Sequence, residues 1–176
     1  MLLTQDHREI ERLLDLLERA GDARIESMWS DQVITELVGH WVVEEQHLYP
    51  AVRRHVPDGD RLADQAIADH ASMEELLKAL ERMDIDDPEF RAVATRMGVV
   101  IRQHLRAEEQ ELFPRLRAYI DAEELHDLGV RIQRGKKAAP TRPHPAAPDT
   151  PPLNKVVGPG VGLVDRVRDR LSGRAP

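Results

Sequence analysis

The chain has 176 residues, enough for one well-cored domain and too few for two. Its apolar share of 41% and charged share of 32%, with only two each of Trp, Tyr and Phe, suit amphipathic helices better than an aromatic-rich β-sandwich, and with no Cys there are neither disulfides nor zinc-thiolate sites. The net charge of −7 conceals an asymmetry: residues 135–176 carry eight Lys or Arg against three Asp, about +5, which leaves about −12 on the remainder and argues against nucleic acid as its partner.

The first charged helix starts within a few residues of Met1, leaving no room for a signal peptide, and no apolar run approaches the roughly twenty residues of a membrane span, so a soluble, cytoplasmic protein is expected. Helical periodicity places the first helix over about Thr4 to Ala20, with Thr4 as N-cap and Ile10, Leu13, Leu14 and Leu17 on one face; Gly21 and Asp22 end it. A second helix, about Ser30 to His55, carries Val33, Leu37, His40, Glu44 and Leu48, and Pro50 is expected to kink it or tighten its last turns. The third spans about Arg61 to Met83 after a Pro57-Asp58-Gly59 turn. The fourth opens at an Asp86-Asp87-Pro88 start signal and runs to about Tyr119.

Residues 122–133 read as one more short helix packed on the end of the bundle. The predicted fold is therefore all-α, an up-down-up-down four-helix bundle over residues 1–134. Residues 135–160 hold seven prolines and form a linker or wrapped arm, and 161–176 place Val164, Val167 and Leu171 at the spacing of a short amphipathic helix.

The chain contains an internal duplication. Asp6-His7 with its following residues matches Asp69-His70, and the segment from His40 to Pro50 matches that from His104 to Pro114, at offsets of 63 and 64 residues. Residues four apart on a helix lie about 40° apart around its axis, so His40 with Glu44 and His104 with Glu108 present paired ligands from one face. Imidazoles with carboxylates and no thiolate suit iron or manganese, although zinc also accepts them.

Helical phase sorts the candidates. Leu37, Leu48 and Ala51 bracket Glu44, and Met97, Ile101 and Leu112 bracket Glu108, whereas His7 and His70 sit at the edge of their apolar stripes and Glu11 and Glu74 lie off them. A single buried His is usually a satisfied core residue, but four in register with two Glu are hard to rationalise without a metal. Glu45 and Glu109 are assigned to the helix flank, with Glu109 as substitute bridge if Glu108 points away. His47 and Glu111 are assigned to supporting the ligands, Tyr49 and Phe113 to the core, and His55, His126 and His144 to solvent.

The order His7, His40-x-x-x-Glu44, His70, His104-x-x-x-Glu108, with two EEQ-x-L-[YF]-P segments, resembles the hemerythrin-like proteins, or HHE cation-binding domains, over residues 4 to about 120. The tail PTRPHPAAPDTPP followed by GLVDRVRD is similar to actinobacterial members. The resemblance implies two non-haem irons, carboxylate- and oxo-bridged, with Glu44 and Glu108 as bridges and His7, His40, His70 and His104 as terminal ligands. Oxygen-carrying hemerythrins have a further His where this chain has Glu74, and an Asp one residue beyond Glu108. The His-poor site points away from simple oxygen carriage and toward oxygen, peroxide or nitric oxide chemistry, with Glu74 as an additional ligand or proton shuttle.

A catalase- or peroxidase-like activity linked to oxidative stress is the enzymatic form of that expectation. The alternative is an iron- or redox-sensing module acting on a protein partner through the C-terminal arm. A ferritin-like oxidase fits less well, because Glu44 and His47 supply one Glu-x-x-His element while Glu108 and Glu111 break the second.

Overall fold

Four long helices and one accessory helix account for the regular structure in the computed structural model, which describes residues 2–139. Helix α1 (Leu2–Glu18) is followed by α2 (Ala23–Val43), which passes through a π-turn (Glu44–Leu48) into α3 (Tyr49–His55). Helix α4 (Gly59–Arg82) leads to α5 (Phe90–Ala107), which passes through a second π-turn (Glu108–Leu112) into α6 (Phe113–Tyr119); α7 (Ala122–Lys136) is the accessory helix. Packing of α1 on α2, α3 on α4, α4 on α5 and α5 on α1 closes the four-helix ring. No helix among the described residues is long and apolar enough to cross a membrane.

Three local expectations change. Thr4 is not an N-cap, because α1 already begins at Leu2. The second helix starts at Ala23 rather than Ser30: Asp22, read as a stop, is its N-cap and accepts from the Ile25 amide at 2.9 Å. That first turn was hard to see because it exposes Ile25 and Met28, which blurs the apolar stripe. The accessory helix runs three residues past its expected end, to Lys136, and lies against α2 and the first π-turn, burying Leu128 and Ile132. The arm beyond residue 139 and the helix expected over 161–176 lie outside the described residues.

Pro50, expected to kink the helix or tighten its last turns, instead follows a widened turn, and Pro114 follows another. A proline lacks the N–H for the usual bond and its ring crowds the carbonyl four residues back. Here the Tyr49 amide reaches back five residues to the Glu44 carbonyl, and the Phe113 amide to the Glu108 carbonyl, forming one wide turn before each proline. The extra residue rotates the downstream helix by about 100° relative to an uninterrupted one.

The turn between the halves is fixed sterically. Asp58 adopts a left-handed conformation (φ 64°), and a Cβ on Gly59 would lie 2.2 Å from the Val52 carbonyl oxygen. The core falls into two apolar clusters with a polar layer between them. On successive long helices, Leu3 and Ile10 flank His7, Leu37 and Leu48 flank His40 and Glu44, Ala66 and Met73 flank His70, and Ile101 and Leu112 flank His104 and Glu108. Burying each such Leu or Ile contributes about 1.5–3 kcal/mol, which offsets the cost of the polar layer they enclose.

Candidate metal centre

The layer gathers four imidazoles and two carboxylates from four helices, with His7, His40 and Glu44 fully buried and His70, His104 and Glu108 at most 6% exposed. His40 Nε2 lies 3.0 Å from Glu44 Oε1, and His7 Nε2 lies 3.9 Å from Glu44 Oε1 and 3.4 Å from Glu108 Oε2. Across the bundle, His70 Nε2 is 3.5 Å from Glu44 Oε2 and 3.0 Å from His104 Nε2, which is itself 3.8 Å from Glu108 Oε2. Two overlapping ligand sets result: His7, His40, Glu44 and Glu108, and Glu44, His70 and His104. Glu44 is common to both.

A bound cation fits these residues on the evidence of their unsatisfied atoms. His7 Nε2, His40 Nε2, both Glu44 oxygens and Glu108 Oε2 are buried with no hydrogen-bond partner. Each such atom costs about 1–3 kcal/mol unless something pairs with it, and all face one another. A cation between them would satisfy these lone pairs together.

Carboxylates face all four outward ring nitrogens, two within hydrogen-bond distance and two beyond it, with His40 Nδ1 and Asp6 Oδ2 left without a hydrogen-bond partner. Glu109 Oε1 lies 2.9 Å from His7 Nδ1, and Glu45 Oε1 lies 3.0 Å from His70 Nδ1. Asp6 Oδ2 stands 3.6 Å from His40 Nδ1, and Asp69 Oδ2 stands 4.0 Å from His104 Nδ1. A carboxylate on Nδ1 keeps Nε2 free as the ligand atom, fixes the ring and raises its basicity. Glu45 and Glu109 therefore do more than cover a helix flank: each is the second residue of a π-turn and meets a His of the opposite half. The repeated Asp-His and Glu-Glu pairs were visible in the sequence, and each brings one candidate ligand and one carboxylate that faces the Nδ1 of another.

Aromatic rings cross the halves as well. Phe113 stacks on His7 with centroids 5.4 Å apart, and Trp41 stacks on His70 at 5.1 Å. Tyr49, which the duplication matches with Phe113, donates from its hydroxyl to Glu108 Oε1 at 3.0 Å and lies 3.0 Å from His70 Nε2. Glu74 belongs to neither ligand set and pairs with Lys78 Nζ at 3.2 Å, while Glu11 accepts from Arg8 at 3.0 Å. His47 lies beside Gly135 of α7 and Glu111 is exposed, so neither joins the ligand sets.

Without a cation, the layer holds protons. Burial disfavours a charged His7, but the Glu108 and Glu44 carboxylates outweigh it and push its pKa up to about 10. Burial likewise opposes charge on His40, and Glu44 and Asp6 raise it to about 9. Burial and the charge of His104 hold His70 well below the usual imidazole range, and burial with the neighbouring Glu44 raises Glu108. Burial and the Glu108 and Glu44 charges push Tyr49 well above the usual phenol range, so it keeps its proton.

Comparison with known proteins agrees with this construction. Residues 2–116 match the model of the Hemerythrin HHE cation binding domain. An uncharacterized hemerythrin-like protein of Schizosaccharomyces pombe is 27% identical over 168 residues, covering 95% of this chain and 83% of that protein. A protein of Nostoc sp. named as a DNA nickase is 24% identical over 135 residues, which cover 77% of this chain but only 38% of the relative. The crystal structure of a hemerythrin HHE cation binding domain-containing protein from Mycobacterium kansasii superposes with a TM-score of 0.64 at 21% identity, covering 77% of this chain and 85% of that one, and so shares the fold. With residues 2–116 under the family model and a His and Glu layer able to hold metal, the chain belongs to the hemerythrin HHE cation-binding family.

Proposed function

We propose that this is a non-haem di-iron protein that binds or reacts with a small oxidant, namely oxygen, peroxide or nitric oxide. The observation that carries the proposal is the pair of unequal ligand sets sharing Glu44, one with four protein ligands and the other with three. Iron bound there supplies a redox change and an open coordination position.

The chain's own residues supply the rest. Phe113 stacks on His7 and Trp41 on His70, and with Leu3 and Leu48 buried on one side the ligands are at most 6% exposed, which limits access of bulk water. Tyr49 holds a proton at its hydroxyl beside His70 and Glu108, on the side with fewer protein ligands. That single proton is donated to Glu108 in the metal-free layer, and with Glu108 turned to a metal the phenol would be free to donate to a small ligand instead. A catalase- or peroxidase-like turnover is the enzymatic form of this reading.

The test is to load the full chain anaerobically with ferrous iron, measure the bound equivalents, and add oxygen, peroxide, nitric oxide and azide in turn. Two equivalents of iron, with a changed near-ultraviolet and visible spectrum or peroxide consumption, are expected. If the loaded protein neither consumes peroxide nor changes its spectrum with any of the four, the proposal fails.

A further inference from the structure

Helix α7 has no counterpart in the duplicated plan among the described residues, and its last turn ends against the layer of ligands. At Gly135 the approach to α2 is so close that an added Cβ would lie 3.0 Å from Val43 Cγ1 and 3.1 Å from His47 Nε2. This contact brings the next residue, Lys136, over α1. Its ammonium group lies 2.7 Å from Asp6 Oδ1, while the other Asp6 oxygen faces His40 Nδ1 at 3.6 Å. His40 Nε2 in turn meets Glu44.

The matching position in the second half has no such clamp among the described residues. The Asp69 side chain is 45% exposed where that of Asp6 is 11%, and Asp69 accepts from the Gln65 amide at 2.9 Å while standing 4.0 Å from His104. Lys136 also passes Glu36, but at 3.8 Å and toward a 40% exposed side chain, so the short, shielded contact is the one to Asp6.

We propose that Lys136 is a positioning residue for the metal position held by His7 and His40: by fixing one Asp6 oxygen it aims the other at His40, so that docking of α7 sets the affinity of that position. The proposal rests on the metal-centre reading above. Its sign is distinctive. A lysine acting only as a nearby positive charge repels a metal cation, so its loss would tighten binding; a lysine that aims Asp6 strengthens the hold on His40, so its loss weakens binding.

The experiment is titration of the metal-free full chain with Co2+ against a competing chelator, following the visible cobalt bands, for wild type, Lys136→Met, Lys136→Arg, Asp6→Asn and the Lys136→Met/Asp6→Asn double variant. Wild type is expected to take two equivalents. Lys136→Met is expected to weaken one of them about tenfold and shift its bands while sparing the other, with Lys136→Arg restoring most of the loss. Asp6→Asn should reproduce the loss, and the double variant should add nothing to it. Glu36→Gln, which breaks only the longer contact, should titrate like wild type, and helical circular dichroism confirms folding of each variant. Lys136→Met binding both equivalents as tightly as wild type or tighter, or a loss that adds in full to that of Asp6→Asn, overturns the proposal. A folded wild type that takes up no Co2+ would instead remove the metal-centre reading itself.

Discussion

Glu109, delivered by the π-turn of the second half of the chain, meets His7 Nδ1 of the first half at 2.9 Å. Arg8 holds the other Glu109 oxygen at 2.8 Å, so this carboxylate is fixed from both sides. Replacing it with Gln keeps the shape and removes the charge that raises the basicity of His7. Glu109→Gln is expected to weaken metal retention about 10- to 100-fold in chelator competition, and Glu45→Gln to do the same through His70. Unchanged retention in both would show that the two carboxylates do not hold ligands.

Pro50 keeps the first π-turn open, and the cost of a proline within a continuous helix is about 3 kcal/mol. Pro50→Ala restores a donor and lets the segment wind as a regular α-helix. The metal-free protein should gain about 1–3 kcal/mol of stability, read by denaturant unfolding, while metal retention falls because Glu45 rotates away from His70. A variant that leaves both quantities unaltered would mean that packing alone maintains the wide turn.

Tyr49→Phe places at one position the ring that Phe113 already presents at the other. Glu108 then loses a buried donor, and the metal-free protein should lose about 1–3 kcal/mol in thermal or denaturant unfolding. Two equivalents of metal should still bind, since the hydroxyl lies outside both ligand sets, whereas peroxide consumption or the ligand-induced spectral change should fall at least tenfold.

Metal and protons compete for the same atoms. His7 and His40 hold protons up to about pH 10 and 9 in the metal-free layer, and both must release them to bind a cation. Apparent metal affinity should therefore increase from pH 6 to about pH 9, by up to about tenfold per pH unit for each proton released, and level off above the His7 value. Potentiometric titration during metal addition at pH 7.5 should register acid release; a flat affinity profile with no acid release would contradict this protonation scheme.

Much of this arrangement was legible in the residues themselves. His7, His40, His70 and His104 announce one level of a bundle because their offsets nearly coincide, and Glu44 and Glu108 lie mid-face between apolar neighbours. The features that escaped depend on contacts between elements. A fixed 3.6-residue period puts Glu45 and Glu109 on the flank, and their contacts with His70 and His7 cross between the two halves of the chain, which periodicity within one helix does not report. Asp22 escaped for a different reason, since the same residue types that end one helix also cap the next. The link from Lys136 to Asp6 joins residues 130 positions apart and leaves no periodic trace in the chain.

The crosswise exchange of Glu45 and Glu109 means that neither helix pair is a self-sufficient unit. Expressed alone, either pair would have to find a twin to complete its imidazole settings, and the twin would necessarily be identical. Joining both pairs in one polypeptide removes that restriction: one side of the centre can carry a phenol in Tyr49 and the other a bare phenyl ring in Phe113. Covalent linkage thus permits a polarity across the His and Glu layer that a symmetric homodimer of half-chains could not possess.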